Sequence, residues 1–257
     1  MVARMLANRA ATRTIFPASF GTIRAARCER ETMKQLDDGL WILSYPLKML
    51  GADLQRNVTV MQLASGQLVI HSTAPFSTAD VTAISSRGQP GWLAEAMLHH
   101  DTYAREGRLA FPHIPYLAPA GFSDHVNFPV EPLLPPPRQW EGQVDVLKIE
   151  GNPSYGEHVF FHRASGTLVV ADLAFNFPGN EPLWKELILR AAIGADHEPG
   201  MSRPFRFTIQ DEDAFKESAR RMMEWDFDRV IVGHGDPIQT GGKAKIASML
   251  VDAGLLD

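Results

Sequence analysis

Three short segments of the sequence place side chains that bind metals or transfer protons directly after a hydrophobic stretch. Asp172 follows four apolar residues, His234 stands between two glycines, and His99 and His100 follow the apolar stretch 92–98. Loops at strand ends are where a rigid scaffold presents functional groups. Neutral imidazole and carboxylate together suit zinc, iron or manganese. The residue types therefore indicate a candidate metal or acid–base site.

Each of these segments also has a purely structural interpretation. Asp172 could cap a turn, as acidic side chains often do. His234 could belong to a glycine-rich loop without chemistry, although two flanking glycines leave it little side-chain cover and allow close approach of a ligand. His99 and His100 could begin a partly exposed helix, because adjacent residues point in different directions and seldom bind one ion together. The pattern alone leaves these alternatives open.

Composition limits the function classes. The chain has 257 residues, 45% of them hydrophobic and 21% charged, which is typical of a globular protein with a sizeable core. Cys28 is its single cysteine, so an intrachain disulfide and a cysteine-based zinc site are excluded, and any metal needs His, Asp or Glu ligands. A net charge of −5 and the lack of a long apolar run argue against nucleic-acid and membrane partners. We expect a small-molecule substrate or ligand, and the sequence does not predict the oligomeric state.

The first 32 residues differ from the rest of the chain. They contain six arginines and two acidic residues, and the remaining residues have a net charge of −9. The first 28 residues contain no acidic residue and are rich in Arg and Ala, which is typical of an organelle transit peptide and would make the protein organellar and mitochondrial-like. The alternative is a start codon assigned too early, with Met33 as the true start and a cytoplasmic protein. Both interpretations predict that 1–32 is a disordered or targeting-like extension and that 33–257 is the domain.

The elements that must position the candidate residues are mostly strands. Patterns of β-branched residues and turn residues predict the strands and two hairpin turns, and apolar spacing with capping residues predicts the helices. The predicted strands are 40–43, 58–63, 67–70, 114–117, 144–149, 158–162, 167–171 and 229–232, with hairpin turns at Ser65-Gly66 and at 163–166. The predicted helices are 78–86 after Ser77, 181–192, 211–225 and 243–251, whereas 92–98 is ambiguous. This order suggests an α+β protein with helices packed outside sheet layers.

Four of these segments together resemble the metallo-β-lactamase-fold superfamily. They are "VTVMQLASGQLVIHSTAP" at 58–75, "GNPSYGEHVFFHRASGTLVVADLAFNF" at 151–177, the stretch "LVVADLAF" within it, and "VIVGHGDPI" at 230–238. "LVVADLAF" resembles the family strand that ends in the bridging aspartate, and "GHG" resembles the segment that supplies the last metal histidine. The resemblance covers about residues 36–252 and is specific because the segments agree in order and spacing.

The sequence departs from the family pattern at two places. The family signature His-x-His-x-Asp-His corresponds here to "EAMLHHDTYA" at 95–104, which has neither the spaced histidine pair nor the Asp-His. The loop that usually carries the third histidine reads "GNPSYG", and Glu157 and His158 follow it as candidate substitutes. The chain therefore looks more like a branch of unknown function within the superfamily, with a degenerate metal-binding motif.

The resemblance implies a single domain that forms a four-layer αββα sandwich with the site at one edge. His99, His100, His158, Asp172 and His234 are the implied metal ligands, Glu157 is a substitute ligand, and Asp172 is the implied catalytic residue. The implied cofactor is at most one zinc, iron or manganese ion per chain, and loss of metal is equally compatible with the sequence. Three functions follow: a metal-dependent hydrolase of a small ester, lactone or thioester; a metal-free relative with a binding or structural role; and an oxidoreductase on the same fold, which no flavin-binding segment supports.

Overall fold

The protein is described from a computed structural model that covers residues 33–49, 52–177 and 199–256. These residues belong to one compact unit, Glu31–Asp257. The extension 1–32 and the predicted helix 181–192 lie outside the described residues. The strands are β1 Lys34–Asp37, β2 Leu40–Tyr45, β3 Lys48–Met49, β4 Ala52–Asp53, β5 Arg56–Gln62, β6 Gln67–His71, β7 Gln89–Ala94, β8 Tyr116–Ala118, β9 Glu131–Pro132, β10 Val144–Lys148, β11 His158–His162, β12 Thr167–Val169 and β13 Arg229–Ile231. The α-helices are α1 Thr78–Ser85, α2 Ala104–Ala110, α3 Arg203–Phe207, α4 Glu212–Met223 and α5 Gly242–Asp252.

Two sheets form the centre of the molecule. The first has the strand order β1-β2-β5-β6-β7-β8-β9, in which β2, β5 and β6 pair antiparallel and β6 to β9 pair parallel. The second has the order β10-β11-β12-β13, and its last pair, β12 with β13, is parallel. The short ribbon β3-β4 stands apart and directly precedes the start of β5. Parallel pairing matters for function because it brings the carboxyl ends of neighbouring strands to the same edge.

The layers follow from which residues share a core. One cluster joins inward-facing residues of both sheets, such as Val69 and Phe160. A second cluster packs the outer face of the first sheet against α1 and α2, and a third packs the outer face of the second sheet against α3, α4 and α5. The order helix, sheet, sheet, helix is the four-layer αββα sandwich that the sequence resemblance predicts, so the predicted fold class is confirmed. No helix in the described ranges is long and apolar enough to cross a bilayer.

Most predicted elements are found within two residues of their expected bounds. Helix α1 begins at Ser77, whose side chain forms a capping box with Asp80, and α4 begins after the capping side chain of Asp211. The ambiguous stretch 92–98 contains the end of β7 and the start of a short 3-10 helix, Leu98–Tyr103. Strands β1, β3, β4 and β9 and helices α2 and α3 were not predicted, because they are short and carry little hydrophobic periodicity.

Candidate metal centre

The parallel pair β12 and β13 brings Asp172 and His234 to one edge of the second sheet. Val169 lies directly opposite Ile231 in the ladder, and the N–H of Val170 donates to the carbonyl of Ile231 at 2.9 Å. Asp172 and His234 each lie three residues beyond that matched pair. They therefore occupy equivalent places after the two strand ends, which is the position expected for functional side chains of parallel strands.

The two glycines around His234 allow the loops after these strands to touch. A Cβ on Gly233 would lie 2.9 Å from the carbonyl oxygen of Ala171. A Cβ on Gly235, which has a φ of +91°, would overlap the carbonyl of Asn176. Glycine is the residue that tolerates both the positive φ and the close backbone approach. From the sequence, these glycines were expected to allow close approach of a ligand, and in the structure backbone packs against backbone at both of them.

His100 reaches the same edge from the first sheet. It lies in the short 3-10 helix Leu98–Tyr103, where its side chain is buried and that of its neighbour His99 is exposed. The rings of His99 and Tyr155 pack edge to face with centroids 5.1 Å apart. The structure thus separates the two adjacent histidines, as expected from their different directions on a helical turn.

His100, Asp172 and His234 form a compact cluster. One oxygen of Asp172, Oδ1, lies 3.4 Å from His100 Nε2 and 3.2 Å from His234 Nε2. Their ligand atoms all lie within 4.8 Å of one another, and among the described residues no other group of three or more metal-binding side chains does so. Asp172 is partly exposed and both histidines are buried, so the cluster opens to solvent through the carboxylate.

The electrostatics of the cluster favour neutral His100 and ionised Asp172. Burial and the positive charge of Arg56 lower the pKa of His100 to about 3. Burial by itself would raise the pKa of Asp172, but hydrogen bonds and charge interactions with His100 and His234 outweigh it and hold that pKa below its ordinary value. A neutral imidazole and an ionised carboxylate are the forms that bind a metal ion.

The hydrogen bonds of His234 require a positive charge in the cluster. Its Nδ1 lies 2.6 Å from the carbonyl oxygen of Gln55, which can only accept, so Nδ1 carries a proton. A neutral ring then has a lone pair on Nε2, and that lone pair faces the carboxylate oxygen of Asp172 at 3.2 Å. Either a second proton on His234 or a cation between the two groups makes this arrangement attractive.

The three side chains fit a small divalent cation. Ligands about 2.0–2.1 Å from a tetrahedral zinc ion are about 3.3 Å from one another, close to the two measured distances to Asp172. The second nitrogen of His234 is fixed by a backbone carbonyl, which is the usual outer partner of a metal-binding histidine. Two histidines and one carboxylate also suit iron or manganese. Three protein ligands leave a position for water or substrate, as catalytic zinc sites do.

Glu157, the candidate substitute ligand, is hydrogen-bonded to the backbone of the loop that carries Asp172. Its Oε1 accepts hydrogen bonds from the N–H groups of Ala171 and Leu173 at 2.9 and 3.1 Å, and its Oε2 accepts one from Asp172 at 3.0 Å. Burial and the neighbouring negative charge of Asp172 raise its pKa to about 8, and the three N–H donors oppose that shift. The carboxylate therefore shapes the loop that presents Asp172.

His158 lies on β11 and is held by backbone groups. Its Nδ1 bonds to the carbonyl of Gly156 at 2.9 Å, and its N–H donates to the carbonyl of Ala96 at 2.7 Å. Burial lowers its pKa. Of the five histidine and aspartate ligands that the resemblance implied, the structure therefore brings His100, Asp172 and His234 together and leaves His99 and His158 outside that cluster. Their role as metal ligands stays a prediction.

Several residues near the cluster were missed by the sequence analysis. Arg56 is buried and donates to the backbone carbonyl of His100. Phe175 stacks on the His234 ring at 5.3 Å with an interplanar angle of 13°. Burial and the negative charges of Asp172 and Glu157 raise the pKa of Tyr155. The "LAF" after Asp172 could have pointed to Phe175, but nothing local in the sequence pointed to Arg56.

Another buried histidine, His71, ends β6 near the cluster. Its ring packs edge to face on Phe160 with centroids 4.7 Å apart, and neither ring nitrogen has a hydrogen-bond partner within the described ranges. Burial, followed by repulsion from His100 and Arg56, lowers its pKa to about 3. A histidine that is neutral in the folded state binds its proton in the unfolded state first, so stability is lost as the pH falls from 6.5 towards 3.

We expect the His71→Leu variant to lack part of this acid sensitivity. The free energy of unfolding of the wild type should fall, relative to that of the variant, by up to about 4 kcal/mol between pH 6.5 and pH 3. Urea unfolding at a series of pH values measures the difference. His113→Leu, at an exposed histidine, is the control and should give a pH-independent difference. Parallel pH profiles for wild type and His71→Leu would contradict the burial of an uncharged ring.

Comparison with solved structures shows the same architecture in several metallo-β-lactamases. The Pontibacter korlensis enzyme superimposes with a TM-score of 0.59 at 12% identity, covering 86% of this chain and 99% of that one. The Erythrobacter litoralis enzyme with β-mercaptoethanol in its active site gives 0.62 at 14% identity, covering 86% and 95%. The Pseudomonas aeruginosa enzyme FIM-1 in its mono-zinc form gives 0.55 at 13% identity, also covering 86% and 95%.

At the level of sequence, no protein-family model and no curated protein matches the chain. At these low identities the structural likeness establishes the fold and leaves function to the residues of the site. The resemblance first drawn from "LVVADLAF" and "VIVGHGDPI" is confirmed by two sheets, outer helices and the order of the strands. The chain has the metallo-β-lactamase fold.

Proposed function

We propose that the protein is a metal-dependent hydrolase of a small ester, lactone or thioester, with one zinc ion held by His100, Asp172 and His234. Iron or manganese are the alternative ions for this ligand set. The proposal is supported by one observation above all: His234 Nε2 lies 3.2 Å from the carboxylate of Asp172 while its Nδ1 is bonded to the carbonyl of Gln55, an arrangement that a bound cation would stabilise. The similarity in fold to a mono-zinc metallo-β-lactamase adds support for a single ion.

The residues around the cluster have distinct roles in this proposal. The bound ion would act as a Lewis acid on a substrate carbonyl and lower the pKa of water to near neutrality. Asp172, partly exposed and ionised, orients water at the open side of the cluster. Glu157 fixes the backbone of Asp172, and the carbonyl of Gln55 fixes the ring of His234.

An apolar wall beside His234 supports a substrate with a hydrophobic group. Phe175 stacks on the His234 ring and packs with Leu54 and Phe177. Apolar lining with a few polar groups is typical of small-molecule sites. Among esters, lactones and thioesters we therefore expect faster hydrolysis of those with an aliphatic or aromatic acyl group than of charged ones.

Metal analysis tests the proposal. Protein purified without a chelator and without a His tag should contain about one zinc, iron or manganese ion per chain, as expected for a single three-ligand site. Asp172→Ala should abolish binding of that ion and change the free energy of unfolding by less than about 1 kcal/mol, because a partly exposed carboxylate adds little packing. Elemental analysis, competition with a chromophoric chelator and urea unfolding give these values.

Asp145→Ala is the matched control for this experiment. Asp145 is also partly exposed, at 27% against 17% for Asp172, and forms an ion pair with Arg163 away from the cluster. The control should bind metal as the wild type does. Two tightly bound ions per chain would contradict a mononuclear site, and no metal under any loading condition would overturn the proposal.

The second candidate function is a metal-free protein that binds a small molecule. It is favoured by the same pair of atoms, because a proton on His234 Nε2 would also satisfy the carboxylate of Asp172. The two functions differ in whether an ion is bound. Elemental analysis of the purified protein separates them, because only the metal-dependent hydrolase would contain the ion.

A further inference from the structure

We infer that three consecutive residues, Gln55, Arg56 and Asn57, are positioning residues that together fix His100 and His234 on either side of Asp172. They lie at the start of β5, after the ribbon β3-β4, and two of them are buried. One short segment thus contacts both histidine-bearing loops. The role in positioning the two histidines follows from these contacts alone, whereas the consequence for metal affinity rests on the proposed function.

Gln55 and Asn57 hold the loop of His234. The carbonyl of Gln55 accepts the hydrogen bond from His234 Nδ1. The N–H of Asn57 donates to the carbonyl of Gly233 at 2.9 Å, and its side-chain Nδ2 donates to Val232 at 2.9 Å and Gly235 at 2.7 Å. Ser44 Oγ donates to the Asn57 side-chain oxygen at 2.7 Å and so fixes the amide orientation. The backbone on both sides of His234 is therefore bonded to one asparagine.

Arg56 holds the turn of His100. Its Nη2 donates to the backbone carbonyl of His100 at 3.2 Å and to Glu95 Oε2 at 3.3 Å, while its Nε donates to the carbonyl of Thr73 at 3.2 Å. Neighbouring residues of a strand point to opposite faces of the sheet. Arg56 and Asn57 can therefore reach two different loops from adjacent positions.

The partner of Arg56 is fixed in turn. Glu95 is fully buried and accepts hydrogen bonds from Thr73 Oγ1 and, at 3.0 Å, from the hydroxyl of Tyr116. A buried ion pair adds little net stability compared with apolar residues of similar volume. The rigid, planar guanidinium of Arg56, however, can bond several acceptors in a defined geometry, which a lysine cannot. The measurable effect of Arg56 should therefore be on the position of His100.

Arg56→Lys separates position from charge. The ammonium group can still pair with Glu95, but it cannot reproduce the fork that also reaches the carbonyls of His100 and Thr73. In metal-free protein labelled with ¹⁵N-histidine, we expect the ring resonances of His100 to shift more than those of His234, whose ring centroid lies 5.6 Å from that of His100. Asn57→Ser, whose side chain is too short to bond both carbonyls, should give the converse result.

Arg108→Lys is the matched control. Arg108 Nη1 also donates to three backbone carbonyls, those of Phe111, Pro112 and Ile114, but they belong to a loop that does not carry the cluster. This variant should also lower thermal stability, because it loses bonds to backbone carbonyls, and it should leave the ring resonances of both histidines unchanged. A general loss of stability would then be distinguished from a change of position.

Metal affinity is the second measurement. Loss of an outer-shell partner commonly weakens metal binding about 10- to 100-fold, so Arg56→Lys and Asn57→Ser should each raise the dissociation constant for zinc by that factor, and Arg108→Lys should not. Unchanged ring resonances in both variants, or equal shifts in the Arg108→Lys control, would overturn the inference. A wild type that binds no zinc would overturn the proposed function alone, because the resonances of the metal-free protein still decide the positioning role.

Discussion

Replacing Glu157 with alanine is expected to destabilise the protein by roughly 3–9 kcal/mol, because two buried N–H groups and one partly buried N–H group lose their acceptor at about 1–3 kcal/mol each. Those groups belong to Ala171, Asp172 and Leu173, the residues that turn the chain away from β12. A loss of this size approaches the whole stability of a typical domain. Urea unfolding and the yield of folded protein measure the effect.

Glu157→Gln keeps the shape of the side chain and makes the result interpretable if the alanine variant does not fold. Its amide oxygen can still accept two hydrogen bonds, but its NH₂ group faces the third N–H, so we expect a loss of about 1–3 kcal/mol. Glu150→Ala, at an acidic residue that is 52% exposed and paired with Lys148, is the control and should change stability by less than about 0.5 kcal/mol. Equal effects at positions 157 and 150 would contradict the loop-capping role.

Gly235→Ala is expected to cost more than about 3 kcal/mol and to displace His234. The left-handed conformation alone costs a residue with a Cβ about 1–2 kcal/mol. The added methyl group would also overlap the carbonyl of Asn176, which is backbone and cannot rotate away. Because Gly235 follows His234 directly, the loop must move to relieve the overlap. Urea unfolding measures the stability, and zinc titration measures the consequence for the cluster.

Gly142→Ala is the control that separates the cost of the left-handed conformation from the cost of the steric overlap in Gly235→Ala. Gly142 has a φ of +71° but no heavy atom within 4 Å of the Cβ that would be added. Its replacement should therefore cost only the conformational penalty of about 1–2 kcal/mol and leave the cluster unaffected. If Gly142→Ala and Gly235→Ala are equally destabilising, the contact between the loops of Gly235 and Asn176 is not a determinant of stability.

The sequence predicted those parts of the fold and site that depend on local patterns. Strands β11, β12 and β13 are short and hydrophobic. Asp172 and His234 are polar residues in the loops that follow β12 and β13, so they stand out against the apolar residues before them. The capping residue Ser77 marked one helix start by its chemistry, and the amphipathic pattern marked the helix predicted at 211–225. Local signals of this kind need no knowledge of partners far along the chain.

The remaining parts depend on contacts between distant segments. Asn57 bonds a loop 175 residues further along the chain, and nothing near Asn57 indicates that partner. The choice between His99 and His100 depends on how the 3-10 helix packs, because adjacent positions point in different directions. Glu157 was considered as a ligand because a carboxylate suits one, whereas its three N–H donors come from the neighbouring strand end.

The matched positions of Asp172 and His234 after β12 and β13 have a consequence for how such a protein can diversify. The ladder between the two strands fixes both residues, and the long connection from Leu173 to Asp228 joins them without setting their separation. Insertions, deletions or exchanges in that connection, outside the core helices α3 and α4 and the contacts of Phe175 and Asn176, can therefore reshape what surrounds the cluster while the two side chains keep their spacing. The strands act as a constant frame, and those parts of the intervening chain can acquire new specificity.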